Sequence, residues 1–300
     1  YNINDAFTHP VTGKKLLLRV NCGSQMHLEH QIEYEAHALR LMEGSGRTPK
    51  VLYVDGSKKI LEHGVLVMEY LPGHAMDYHT ELMLAAPCLA DIHSVQIPES
   101  EEVLIHPQNP LKAILEECEE MFKVYLESPL GDEEKKIYIR ELLDLGWKQE
   151  AETRLESGYQ CCINTELNST NFLINGEGKS NYLIDWEKPL FGNPAQDLGH
   201  FLAPTTTFWK TDVILTSEEI EKFIDAYIKA VGNRFKTDMI REHTHAFIPI
   251  TCLRGITWCA MAWVQYQQPD KLIFNESTFK KLNAYLDMDF LKNIRGYLEP

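Results

Sequence analysis

The run Cys161-Cys162-Ile163-Asn164-Thr165-Glu166-Leu167-Asn168-Ser169-Thr170-Asn171-Phe172-Leu173-Ile174 decides how the rest of the chain is read. It holds a carboxylate, an Asn five residues later, and then a short apolar strand. After the turn at 175–180, a second apolar strand, Tyr182-Leu183-Ile184, ends in Asp185-Trp186-Glu187. Two short strands joined by a Gly-rich turn read as a hairpin. A hairpin sets its outer ends side by side, so Asn171 and Asp185 are expected close together. An amide oxygen and a carboxylate at that point suit a Mg²⁺ that keeps some waters and takes its other ligands from a nucleotide phosphate. Glu166, on the loop just before, is expected to face the same spot as a general base.

Working outward, 300 residues at 44% apolar are ample for a sizeable core. No apolar run reaches the roughly 18 residues that a membrane span needs. The first residues do not read as a signal peptide, so no membrane association is expected. The 7 cysteines are scattered without a C-x-x-C spacing and read as reduced thiols of a cytoplasmic protein. A net charge of −15 argues against nucleic acid as a partner. It suits a cationic small molecule, and equally a plain soluble surface. There is no internal repeat and no low-complexity segment.

Residues 1–72 read as a small α/β unit. A strand is expected from Lys14 to Asn21, a helix from about Leu28 to Glu43, and two strands at Val51–Val54 and Gly64–Leu71. In the helix, Leu28, Ile32, Glu35, Leu39 and Met42 share one face, so Glu35 points inward. A buried carboxylate needs a partner, and Arg19 in the middle of the first strand is the obvious one. Taken alone, such a pair is more often a structural tie between helix and sheet.

Together with Glu166, Asn171 and Asp185, these pieces resemble the aminoglycoside phosphotransferase and choline kinase family, relatives of the protein kinases. That family has a loop H-x-D-x-x-x-x-N, with Asp as catalytic base and Asn on a metal, then a strand ending in a metal-binding Asp. Asn171 and Asp185 match, whereas Asn164 stands where the family has His and Glu166 where it has Asp. The resemblance implies that Arg19 grips the nucleotide phosphates and Glu35 orients it. Arg there is closer to the choline kinase branch and offers a flat, bidentate grip. It also implies that adenine lies against the backbone at Glu69, Tyr70 and Leu71, where the last strand runs into Pro72-Gly73. Asp197 corresponds to the Asp that braces the catalytic loop through backbone hydrogen bonds. Glu187 either adds to the metal site, directly or through water, or is a surface carboxylate at a strand end. No glycine-rich phosphate loop is found; the family's loop between its first two strands is expected upstream, with Asn2 or Asn4 as its last residues.

From residue 74 the chain reads as helical. Helices are expected near 85–93, 111–125, 132–157, 216–231, 239–267 and 277–298, with an irregular segment from Lys188 to Phe201. Trp209, Trp258, Trp263 and Tyr266 form an aromatic set late in the chain. Such a set is more often core, but aromatic faces also bind ammonium groups, which makes these residues the candidates for an acceptor pocket.

The resemblance implies an α+β, two-lobed protein-kinase-like fold. Residues 1–72 would form the nucleotide-binding lobe and 73–300 the catalytic and acceptor-binding lobe. The expected reaction moves the ATP γ-phosphoryl group, with Mg²⁺, to a hydroxyl of a small amine-bearing molecule. The alternative is a nucleotide-binding pseudokinase with a regulatory or scaffolding role. The extra methylene of Glu166 is its basis, because a displacement of about 1 Å costs about 10²-fold in rate. A metal hydrolase using the same carboxylates has no recognised ligand spacing behind it.

Overall fold

Asn and Asp interrupt the first residues so thoroughly that periodicity gives no strand there, yet one forms. In the computed structural model, which describes residues 2–24, 26–59, 61–155, 158–268 and 275–299, β1 (Asn2–Thr8) pairs antiparallel with β2 (Lys15–Asn21). None of its seven side chains is buried, which is why no apolar alternation marks it. The pairing sets Asn4 opposite Arg19. A turn closes the hairpin, His9 N–H donating to the Lys14 carbonyl (2.8 Å).

Helix α1 (Gln31–Met42) follows, then β3 (Val51–Asp55) and β4 (Gly64–Glu69), giving a four-stranded antiparallel sheet in the order β1-β2-β4-β3. Ile32, Leu39 and Met42 of α1 are buried, as are Leu16, Leu66 and Met68 of the sheet. Glu35 lies on that buried face with them. Four residues past β4, Gly73 has φ +136°, and a Cβ on it would meet the Leu173 backbone at 2.9 Å, so the turn there needs glycine.

The chain continues through β5 (His74–Ala75), α2 (Tyr78–His93), α3 (Pro110–Glu127), α4 (Glu133–Glu152) and β6 (Cys161–Ile163). The hairpin strands are β7 (Phe172–Ile174) and β8 (Tyr182–Leu183), and β9 (Leu190–Gly192) returns to pair with β6. Helices α5 (Pro194–Leu202), α6 (Pro204–Thr211), α7 (Ser217–Val231), α8 (Ile240–Tyr266), α9 (Glu276–Tyr285) and α10 (Met288–Leu298) complete it.

These elements form two compact units. The first comprises 1–106, 158–197 and 217–240; the second comprises 107–157, 198–216 and 241–300. Residue 72, the boundary read from sequence, lies inside the first unit. Within that unit α2 packs along α7, and β5, β7 and β8 form a second small sheet. In the second unit α3 packs on α4 and α4 on α10. Gly146 of α4 comes so close to Leu253 and Leu115 that no Cβ would fit without displacing them.

Three expectations are corrected here. The segment 188–201 is not irregular but carries β9 and α5. The expected helix 277–298 is two helices, because Asp287 caps α10 by accepting from Asp289 N–H (2.9 Å). The third concerns membrane length: α8 is long and apolar enough to cross a membrane, but 72% of its most apolar window is buried inside the protein, as in a core helix. Ser157, the expected end of the fourth helix, lies outside the described residues.

Candidate active site

Arg19 joins three side chains of the site. Its side chain is 6% exposed, Nε donates to Asn4 Oδ1 (3.0 Å), and Nη1 donates both to Glu35 Oε1 and to Asp185 Oδ1 (3.0 Å). Burial works against its charge, but Glu35 and Asp185 hold the guanidinium above its ordinary pKa. Burial pushes the Glu35 carboxyl up to about 7, with Arg19 pulling the other way and Asp185 and Glu187 adding to the rise. Its second oxygen, Oε2, is buried without a hydrogen-bond partner among the described residues.

Asp185 stands just past β8 with φ +65°, a left-handed conformation uncommon for a residue other than glycine. Two bonds hold the backbone on either side. Asn164 Nδ2 donates to the Asp185 carbonyl (2.8 Å), and Ile184 N–H donates to the Asn171 carbonyl (2.9 Å). The hairpin thus brings Asn171 beside the segment that carries Asp185. The amide NH₂ of Asn171 donates to the Glu166 carbonyl (3.0 Å), which turns its amide oxygen to the opposite side as an acceptor. Glu187 accepts from Asn2 Nδ2 (2.7 Å), and Asn2 is itself held by Asn21 (2.9 Å). Burial raises the Glu187 carboxyl pKa, as do Asp185 and Glu166, while Arg19 and Lys188 lower it.

Glu166 is tied on three sides. Its N–H donates to Asn164 Oδ1 (3.0 Å), its carbonyl accepts from Asn171 and Asn168 (both 3.0 Å), and its carboxylate meets Lys188 Nζ (2.8 Å). Asp197, fully buried, accepts from the backbone N–H groups of Asn164 (2.8 Å) and Thr165 (2.7 Å). Behind it lies a chain of polar groups that periodicity does not announce. His93 Nε2 is 3.1 Å from Asp197 Oδ2, and His93 Nδ1 is 2.8 Å from the Tyr227 hydroxyl.

Arg19, Glu35, Asn171, Asp185, Glu187, Glu166 and Asp197 all belong to the first unit. So do Glu69, Tyr70 and Leu71; there Glu69 N–H donates to the Lys50 carbonyl (2.9 Å), and Lys15 Nζ sits 3.8 Å from the Tyr70 ring centroid. Trp209, Trp258, Trp263 and Tyr266 belong to the second unit, where Trp209, Trp263 and Tyr266 pack against the cluster of Cys259, Ala262, Leu282 and Tyr285. Trp209 meets Trp258 edge-to-face (5.3 Å), and Tyr266 stacks on Phe279 (6.0 Å). Trp258 is 42% exposed. Sequence reading missed Lys188, Asn164 as a bridging side chain, and His93 with Tyr227. Only the Asn-rich run 164–171, dense in amides able to tie a loop, hinted at any of them.

The arrangement has a definite electrostatic character. Four carboxylates, Glu35, Glu166, Asp185 and Glu187, face two cations, Arg19 and Lys188, which is a formal excess of two negative charges when all are ionised. Such an excess, with hard oxygens at Asp185 and Asn171, fits a divalent metal. No three His, Cys, Asp or Glu side chains among the described residues form a metal cage. Few protein ligands are what Mg²⁺ takes when phosphates and waters supply the rest.

A small antiparallel sheet with one helix laid on it, a mostly helical remainder and this hairpin define a protein-kinase-like fold. The chain belongs to the phosphotransferase enzyme family (APH), whose model matches residues 3–242. No curated protein matches the chain. Among solved structures, an ethanolamine kinase of Plasmodium vivax is similar over 99% of this chain and 81% of its own, at 16% identity and a TM-score of 0.68. A spectinomycin phosphotransferase in complex with ADP and spectinomycin is similar over 99% and 93%, at 14% identity and a TM-score of 0.63. An amicoumacin kinase in complex with AMP-PNP, Ca²⁺ and Ami is similar over 98% and 85%, at 14% identity and a TM-score of 0.64. The neighbours include aminoglycoside phosphotransferases and ethanolamine or choline kinase-like proteins.

Proposed function

We propose that the protein transfers the γ-phosphoryl group of ATP to a hydroxyl of a small amine-bearing molecule, with Mg²⁺ as cofactor. One observation carries the reading: Arg19 joins the helix carboxylate Glu35 to the hairpin-end carboxylate Asp185. In this reading Arg19 turns from Asp185 to the nucleotide phosphates, held in plane by Asn4 and Glu35. Asp185 and Asn171, with Glu187 beside them, would hold the metal. Bound there, Mg²⁺ would neutralise the negative charge that develops during transfer.

Glu166 takes the acceptor's hydroxyl proton as the acceptor oxygen bonds to the γ-phosphorus. The bond from that phosphorus to the bridging β–γ oxygen breaks, and ADP leaves with the electron pair. Asp197 holds the backbone of the loop that aims Glu166. The acidity of the chain supports a cationic acceptor, and Trp258, with its ring partly exposed, is the first aromatic to test for it. Seven free thiols support a cytoplasmic setting.

The test is ADP release from Mg-ATP across choline, ethanolamine, thiamine and amino sugars. The reading expects one class to drive release and Asp185→Ala to abolish it. Tight ATP binding with no acceptor-dependent release would instead favour the pseudokinase.

A further inference from the structure

The loop before the hairpin is strapped to the segment after β8 at three successive residues. Asn164 Nδ2 donates to the Asp185 carbonyl (2.8 Å), Thr165 Oγ1 donates to the Lys188 carbonyl (2.6 Å), and Lys188 Nζ meets Glu166 Oε1 (2.8 Å). The middle strap holds an awkward backbone. Thr165 has φ +66°, a left-handed conformation that a β-branched side chain adopts only when its surroundings over-determine it. Lys188 is thereby anchored at both ends, its carbonyl on Thr165 and its ammonium on Glu166. The side chains of the pair are only 14% and 28% exposed, so this is not a loose surface contact.

A Glu carries its carboxylate one carbon–carbon bond further out than an Asp and adds one rotatable bond. Left alone, such a group spreads over several rotamers. An ammonium fixed on one of its oxygens selects one of them. Long side chains lose freedom at a cost, and here the cost is shared with a lysine whose own backbone is already strapped.

We infer, resting on the phosphotransfer reading above, that Lys188 is a positioning residue for Glu166. The Glu166–Lys188 pair holds the longer carboxylate where a shorter Asp would stand by its length alone. Lys188 is therefore needed with Glu at position 166 and redundant with Asp there.

The test uses the full chain and four variants: Lys188→Met, Lys188→Arg, Glu166→Asp, and Glu166→Asp with Lys188→Met. For each, kcat and KM for Mg-ATP are measured in acceptor-dependent ADP release, with melting curves to verify folding. Lys188→Met is expected to lower kcat by about 10²-fold, the effect of a displacement of roughly 1 Å, with KM for Mg-ATP within about twofold of the parent. Lys188→Arg should recover most of the rate. In the Glu166→Asp background, Lys188→Met should change kcat by less than about threefold, because the pair is then already broken.

An unchanged kcat in Lys188→Met overturns the inference. So does an equal loss in both backgrounds, or a raised KM for Mg-ATP at unchanged kcat, which would make Lys188 a nucleotide-binding cation. Should Lys188→Met not fold, Lys188→Gln replaces it under the same criteria. A parent protein without acceptor-dependent release removes the phosphotransfer reading and this inference together. Turnover in a parent protein that is indifferent to Lys188 removes the inference alone.

Discussion

Arg19 with Glu35 and Lys188 with Glu166 are both cation–carboxylate pairs of one site, but they differ in burial. The first is sealed, with side chains 6% and 1% exposed; the second is half open, at 14% and 28%. A sealed pair is costly to break, because removing one partner strands a charge in a low dielectric. A more open pair strands less charge when it is broken and so adds less to stability. Stability should therefore depend on the first pair, and the aim of the proposed base Glu166 on the second.

The sharpest way to break this contrast is Glu35→Ala. It leaves Arg19 buried with Asp185 as its remaining carboxylate partner, and a loss of about 3 kcal/mol in urea unfolding is expected. A loss below about 1 kcal/mol would mean that Arg19 is solvated after all.

A pH series examines the same pair without changing its shape. Burial pushes the Glu35 carboxyl from 4.5 up to about 7. A carboxyl whose folded value lies above its unfolded one binds more protons when folded. Its contribution to stability is therefore greatest below about 4.5 and falls as pH rises to about 7. Urea unfolding across that window should show a falling component in the parent that Glu35→Gln removes. Parallel pH profiles in the two proteins would contradict it.

Smaller effects sharpen the picture. Asn4→Ala takes the acceptor from Arg19 Nε and should cost about 1.5 kcal/mol in the same assay, the range for a hydrogen bond to a charged group. Lys188→Met should cost less than about 1 kcal/mol, despite its large expected effect on turnover. If Lys188→Met destabilised the fold as much as Glu35→Ala does, the division of labour between the two pairs would be wrong.

How far the sequence could be read follows the same physics. Glu35 was legible because an α-helix repeats every 3.6 residues, so one polar residue on an apolar stripe stands out. The hairpin was legible because a Gly-rich turn between two apolar runs is a local signal. Lys188 was not, since its contact with Glu166 spans 22 residues and neither residue lies in a periodic element. His93 and Tyr227 escaped for a related reason: their polar tips sit on stripes that otherwise read as core, and Asp197, which His93 meets, lies 104 residues further on. The strand β1 was hidden by its exposure, because pairing with β2 forms it rather than any buried face. The late aromatics show the converse, since a conspicuous set of rings is largely occupied in packing against its own unit.

The most direct test of the account is a calorimetric titration of ATP, with and without Mg²⁺, into the parent protein and Asp185→Ala. Mg²⁺ is expected to tighten ATP binding to the parent by at least about tenfold, or roughly 1.4 kcal/mol, and Asp185→Ala to lose that increment. Equal affinity with and without Mg²⁺ in the parent, or an increment that survives in Asp185→Ala, would contradict it.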